Sequence, residues 1–185
     1  MELLATVELI LCWLAWAWPY AFRAPHYQKR PSTVATAPTA IGLALECAGI
    51  VVACVFRLPH AHPPGMARIL GSMALGPVAA VLAWTAVKHL GRQFRFRAGL
   101  YVDHELVRTG PYSLVRHPIY ASILAILLST LLLLTRWEWV VISLALFVAG
   151  TEIRVHVEDN LLASRFGKDF EAYRRQVRAY VPFVR

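Results

Sequence analysis

Residues 104–120 read HELVRTGPYSLVRHPIY, a polar stretch that interrupts a chain otherwise made of long apolar runs. One such run ends at residue 87 and the next begins at 119, so the stretch lies between two membrane-type segments. Gly110-Pro111 marks a turn within it. Pro118 suits the first turn of a helix, where its missing N–H costs little. Arg116 and His117 are therefore expected where a polar segment meets a spanning helix. Basic side chains at such a boundary often only snorkel into the headgroups. A cation beside an imidazole can also hold an anionic or nucleotide-like ligand. The cluster of His104, Tyr112, Arg116, His117 and Tyr120 in one stretch favours a site.

Composition sets the solvent. Of the 185 residues 58% are hydrophobic, against roughly 45–50% in soluble domains, and the mean hydropathy is +0.51. An integral membrane protein is expected, with a length that suits one helical bundle. The formal net charge of +8 gives no argument for nucleic acid, because basic residues in a membrane chain first report orientation. Cys12, Cys47 and Cys54 fall inside apolar runs without CxxC or Cys/His spacing and are expected to be packing residues. His60 and His62 have no further ligands at recognisable spacing, so no metal site is expected.

Working outward, residues 3–22 supply the ~20 residues of a spanning helix. Trp13, Trp16, Trp18 and Tyr20 crowd its second half, as an interfacial aromatic belt would. Glu8, inside this span, should face other helices as a protonated or hydrogen-bonded packing residue. Residues 39–57 form the second span, with Glu46 inside it and Gly42 and Gly49 available for close helix approach. Residues 66–87 form the third, where Gly76-Pro77 suggests a kink. Residues 88–97 alternate basic and aromatic side chains and suit an interfacial segment on anionic lipid. The runs 119–134 and 140–153 reach only about 22 Å at 1.5 Å per residue and should form a tight hairpin that spans by tilt or local thinning. From Arg154 the chain becomes charged and amphipathic. Arg154 and Glu158 share a helix face, Gly167 is a candidate C-cap, and 168–179 suits a second short helix. The expected fold class is all-α: a polytopic membrane bundle of about five transmembrane helices with a cytoplasmic C-terminal helical segment.

Five spans place the connector after the first, the segment after the third and the C-terminal tail on one face. Those three carry 16 Lys and Arg, and the two opposite turns carry 3 (Arg57, Arg68 and Arg136). The positive-inside rule makes the first face cytoplasmic. Residues 104–120 and 154–158 then emerge on the same side and can meet.

Three groups of residues carry a family resemblance. They are His104-Glu105-Leu106-Val107 with Gly110-Pro111-Tyr112, then Arg116-His117-Pro118-Ile119-Tyr120, then Arg154, Glu158-Asp159, Leu161-Leu162, Phe166-Gly167, Tyr173 and Pro182. Together they resemble the isoprenylcysteine carboxyl methyltransferase family, part of a wider group that includes phospholipid N-methyltransferases. The resemblance covers roughly residues 104–185. It implies one domain over 1–185, with 1–100 as variable transmembrane helices and 101–185 as the cofactor-binding and catalytic half. It implies S-adenosyl-L-methionine as cofactor, with His104, Leu106, Val107, Tyr112, His117, Pro118 and Tyr120 lining its pocket. Arg154 and Glu158 correspond to the methyl-acceptor side, and Arg116 would sit near the reacting groups. The implied partners are a lipophilic methyl acceptor and membrane lipid, with no nucleic acid and no metal. Asp159 stands where the family has a second Glu, and Arg97 stands where a cofactor-contacting amide is expected.

The residues suit that chemistry independently of the resemblance. Methyl transfer from a sulfonium to a carboxylate neutralises opposite charges, so a dry site favours it. Arg116 or Arg154 can hold a carboxylate bidentately. Glu158 can orient Arg154 or, for an amine acceptor, take a proton. Two alternatives share some of the pattern. Sterol-type membrane reductases carry an RHPxY-like segment but use NADPH, with Asn in the place of Ile119. A non-catalytic lipid-binding membrane protein could keep the same pocket shape.

Overall fold

The computed structural model describes residues 1–22, 33–34, 37–59, 62–94, 99–100 and 105–181. Five helices form the bundle: α1 (Glu2–Phe22), α2 (Ala37–Val55), α3 (Met66–Leu90), α4 (Pro118–Leu134) and α5 (Trp137–Phe166). A short α6 (Lys168–Gln176) follows. Two-residue strands β1 (Thr33–Val34) and β2 (Gly99–Leu100) pair antiparallel, Thr33 opposite Leu100. Helices α1, α2, α3 and α5 are each long and apolar enough to cross a membrane. Helix α4 has 17 residues, about 25 Å at 1.5 Å per residue, and is the short span the sequence anticipates. The protein is an integral membrane helical bundle.

The helices associate as two sets. Helix α3 packs along α4 with α1 against it, through Leu9, Cys12, Ile69, Ala79, Ile126 and Leu133. Helix α2 packs along α5, and Ala53 and Phe147 meet Leu127 and Leu131 of α4. Apolar contact alone gives little drive between helices in lipid, so close backbone approach and polar pins matter more. A Cβ on Gly42 would lie 2.7 Å from the Gly150 carbonyl oxygen, and one on Gly49 would lie 2.7 Å from that of Ser143. The glycines of α2 thus provide the close approach their spacing suggests. Ser143 Oγ then donates to the Gly49 carbonyl at 2.7 Å.

One end of the bundle is locked by the two short turns. The Leu58 amide donates to Leu134 O at 2.7 Å, and the Arg136 amide donates to Phe56 O at 3.1 Å. Arg68 of α3 reaches across to the C-terminus of α4 and donates to Leu132 O (2.7 Å), Leu131 O (2.9 Å) and Thr135 O (2.5 Å). A cation on the last carbonyls of a helix satisfies orphan acceptors and complements the helix dipole. At the other end, β1 and β2 tie the connector after α1 to the one after α3.

Several expectations change. The aromatic residues of α1 are not all a lipid-facing belt. Trp13 Nε1 donates to Thr130 Oγ1 and Trp16 Nε1 donates to Ser122 Oγ, both at 3.0 Å, so these indoles pin α1 to α4. Trp18 stays exposed. Helix α3 runs from Met66 to Leu90 with Pro77 inside it, and Gly76 seats Cys12, whose Sγ would lie 2.9 Å from a Cβ there. Cys47 is exposed on α2 rather than packed. The expected short span 140–153 and separate helix from Arg154 are one continuous 30-residue helix, about 45 Å long. The change to charged residues does not break α5, because Arg154, Glu158 and Asp159 each find a partner inside the protein. It ends where the sequence indicates, at Gly167 with φ +50°. Helix α6 stops at Gln176, short of the expected 179, and the chain from 177 packs back on the start of α4.

Candidate active site

The start of α4 is a prepared corner. Gly110 has φ +61°, a region that L side chains disfavour, and it opens a short 3-10 turn over Gly110–Ser113. The His89 ring sits where a Cβ of Gly110 would be. Tyr112 is buried by this turn; its hydroxyl donates to Ala86 O at 3.5 Å, and its carbonyl accepts from Tyr173 Oη at 2.5 Å. Burial raises the Tyr112 hydroxyl well above its ordinary value and pushes Tyr173 up to about 12, so both stay neutral donors. Pro118 occupies the first turn of α4, as its type predicts. The two residues before it give their amides to the returning tail. The Arg116 amide donates to Arg178 O and the His117 amide to Ala179 O, both at 2.7 Å.

Helix α5 brings the second group of residues against this corner. His117 stands between two carboxylates, with Nε2 2.9 Å from Asp159 Oδ1 and Nδ1 3.4 Å from Glu158 Oε2. Only an imidazolium can donate from both nitrogens. Burial works against that charge, but the hydrogen bonds His117 donates to Asp159 and Glu158 outweigh it and lift His117 to about 9. Arg116 Nη2 pairs with Asp159 Oδ2 at 2.8 Å, and its Nη1 donates to Val177 O (2.5 Å) and Arg174 O (3.4 Å). Tyr120 donates its hydroxyl to Glu158 Oε1. The Arg154 guanidinium lies 5.0 Å from the centre of the Tyr120 ring and pairs through Nη1 with Glu46 Oε2 at 2.6 Å.

The two polar segments therefore meet on one face, as their positions between the spans require. Leu106, Val107, Tyr112, Arg116, His117, Pro118, Tyr120, Arg154 and Glu158 all line one cavity with about 970 Å³ of atom-free space, part of it open to solvent. His104, Arg97 and Pro182 lie outside the described residues. Arg116 touches the cavity, but its guanidinium is engaged by Asp159 and the tail carbonyls. Asp159, a departure from the family's second Glu, is the partner shared by Arg116 and His117. No group of three or more His, Cys, Asp or Glu suited to a metal occurs among the described residues.

Two lining or supporting residues escape sequence reasoning. Gln93 lines the cavity, and its Oε1 is buried without a hydrogen-bond partner among the described residues. Nothing in the sequence around it marks it out, although it stands near Arg97, where an amide is expected. Glu46 holds Arg154 from α2, and the signal for that was a carboxylate inside a span with no assigned partner.

A membrane bundle with a mostly apolar cleft, ringed at one end by paired cations and carboxylates, is the class of protein that fold and site define. The chain matches the model of the isoprenylcysteine carboxyl methyltransferase family over residues 73–164. It is 35% identical over 83 residues to the protein-S-isoprenylcysteine O-methyltransferase of Schizosaccharomyces pombe, covering 44% of this chain and 35% of that protein. It is 33% identical over 82 residues to the protein of the same name from Saccharomyces cerevisiae, covering 44% and 34%. The chain thus spans about a third of the length of the curated relatives it matches.

Proposed function

We propose that the protein is a membrane methyltransferase that moves a methyl group from S-adenosyl-L-methionine to the carboxylate of a prenylated cysteine or a similar isoprenoid-like acceptor. The observation that carries this is Arg154 at the wall of the cavity that His117, Pro118 and Tyr120 also line, which brings a carboxylate-binding cation to a mostly apolar cleft. The names of the two relatives point to the acceptor class.

The cavity fits the donor on its own terms. Leu106, Val107, Tyr112 and Pro118 would give an adenosine its apolar walls, and Gln93 Oε1 is an acceptor that lacks a partner among the described residues. S-adenosyl-L-methionine, when bound, supplies a methyl group on a positively charged sulfur. The protein's part is to hold the acceptor oxygen in line and to keep water out. Arg154 offers its guanidinium to the acceptor carboxylate. Tyr120 and His117 hold Glu158, so it does not confront the acceptor as an isolated anion. Arg116, His117 and Arg154 balance Glu46, Glu158 and Asp159, three cations against three carboxylates. A balanced wall leaves the attraction between donor cation and acceptor anion as the dominant local field. That attraction brings the reactants together, and a cleft with little water lowers the cost of losing both charges in the transition state. Positioning alone can contribute several kcal/mol to the barrier reduction. The excess of basic residues on this end of the bundle supports a cleft that faces the cytoplasm and takes the soluble donor from there, with the acceptor arriving through the bilayer between helices.

Membranes containing the protein, given methyl-labelled S-adenosyl-L-methionine and a prenylcysteine derivative, should form a base-labile methyl ester. Label in phospholipid amines would move the acceptor to nitrogen. Stabilisation by NADPH and not by S-adenosylhomocysteine would overturn the donor.

A further inference from the structure

Helix α2 lies outside the stretch that matches the family, yet its Glu46 pairs with Arg154 at the cleft wall. Glu46 is buried near the middle of α2, at 2% exposure. Its Oε2 accepts from Arg154 Nη1 at 2.6 Å and its Oε1 accepts from Thr151 Oγ1 at 3.0 Å. Thr151 and Arg154 stand three apart on α5, so both oxygens are held by one face of that helix. The backbone is shaped to permit this. A Cβ on Gly42 would lie 2.6 Å from Arg154 Cγ, so the aliphatic stem of Arg154 crosses α2 at a position without a side chain. A Cβ on Gly150 would lie 2.9 Å from the Glu46 amide nitrogen. The stem is thereby seated in a groove, the head is turned by Glu46, and the guanidinium carbon comes to rest 5.0 Å from the Tyr120 ring centre at the cavity wall.

A buried ion pair is weak as a source of stability, because desolvation offsets most of its attraction. Ionisable groups inside a span more often serve a site. We infer that Glu46 is a positioning residue for the methyl acceptor: it fixes the direction in which Arg154 presents its guanidinium to the cleft. This rests on the proposed role of Arg154 as the acceptor-side cation. Without Glu46 the Arg154 head can swing along the Gly42 groove, and a carboxylate entering the cleft meets a mobile partner instead of a fixed one. The walls proposed for the donor, around Leu106, Tyr112 and Gln93, include neither Arg154 nor Thr151, the hydrogen-bond partners of Glu46.

The test compares the whole protein in membranes with Glu46→Gln, Glu46→Asp and Thr151→Val. Methyl transfer by the unaltered protein is measured first; if there is none, the proposed function fails and not this inference alone. Given transfer, Glu46→Gln should raise the acceptor KM by about 10- to 100-fold, the range for a lost hydrogen bond to a charged group, with S-adenosylhomocysteine affinity unchanged. Glu46→Asp should recover part of that loss, and Thr151→Val should change KM by less than about fivefold, because the charge stays. If Glu46→Gln no longer binds S-adenosylhomocysteine, its fold is lost and Glu46→Asp decides by the same ratio. An acceptor KM within about twofold of the unaltered protein in a variant that still binds S-adenosylhomocysteine overturns the inference, as does a fall in kcat alone.

Discussion

Replacing Asp159 by Asn keeps the shape of the side chain and removes its charge. Asp159 accepts from Arg116 Nη2 at 2.8 Å and from His117 Nε2 at 2.9 Å, and the side chains of this knot are 6% to 11% exposed, so solvent screens them little. Removing one partner of a buried ion pair leaves the other charge uncompensated and costs about 3–5 kcal/mol. The same substitution has a pH signature. His117 keeps its proton to about 9 in the folded protein against an ordinary 6.5, and Asp159 is the first of the partners that hold it there. A group whose folded value is raised stabilises most below its unfolded value, and that gain vanishes as pH climbs through the folded value. The unaltered protein should therefore lose roughly 3 kcal/mol of stability between pH 6.5 and 9, and Asp159→Asn should lose much less over that window. Reversible unfolding in mixed micelles, followed by tryptophan fluorescence at several pH values, measures both. A cost below about 1 kcal/mol, the range of a solvent-exposed pair, or an alkaline fall that survives the substitution, would refute the account of the knot.

Gly110→Ala should destabilise by at least about 1–2 kcal/mol, since φ is +61° and the His89 ring occupies the space of the new methyl; loss of S-adenosylhomocysteine affinity in a calorimeter is the readout at the site. Arg68→Met removes three hydrogen bonds from the end of α4 and should cost about 2–3 kcal/mol in thermal unfolding, while methyl transfer at low temperature stays near normal. Gln93→Leu should weaken S-adenosylhomocysteine binding about five- to tenfold with the acceptor KM unmoved, if its orphan oxygen meets the donor.

The spans were legible because each is a run of about 20 apolar residues, and Pro118 and Gly167 marked helix ends through backbone chemistry alone. The meeting of Tyr120 with Glu158 followed from an even number of crossings between them, with no packing information needed. What failed had a common cause: the partner of a polar group was not readable from its neighbours. The run of charges from Arg154 to Asp159 looked like the end of a membrane helix, whereas Glu46 and Arg116 pair with Arg154 and Asp159 from far along the chain. Trp13 and Trp16 looked like interfacial residues by position, and only the hydroxyls of Thr130 and Ser122 turn them inward. Gln93 carries its information in an atom that lacks a partner among the described residues, which no spacing reveals.

The division of the bundle into two sets of helices explains why the cleft lies where it does. Helices α3 and α4 carry the corner with His117 and Tyr120, and α2 and α5 carry Glu46, Arg154, Glu158 and Asp159. At the far end the sets are clamped by Thr135 Oγ1 on Ala53 O at 2.8 Å and by the Leu58 amide on Leu134 O at 2.7 Å. At the near end the cross-links are polar: Arg116 and His117 to Asp159, and Tyr120 to Glu158. In lipid such directional contacts decide how far apart two helices stand, because apolar faces are equally content against acyl chains. The width of the cleft is thus set by the same charges that line it. Asp159 holds the cross-link and Arg154 lines the cleft, so damage at Asp159 should register first in folding and damage at Arg154 first in binding of the proposed acceptor.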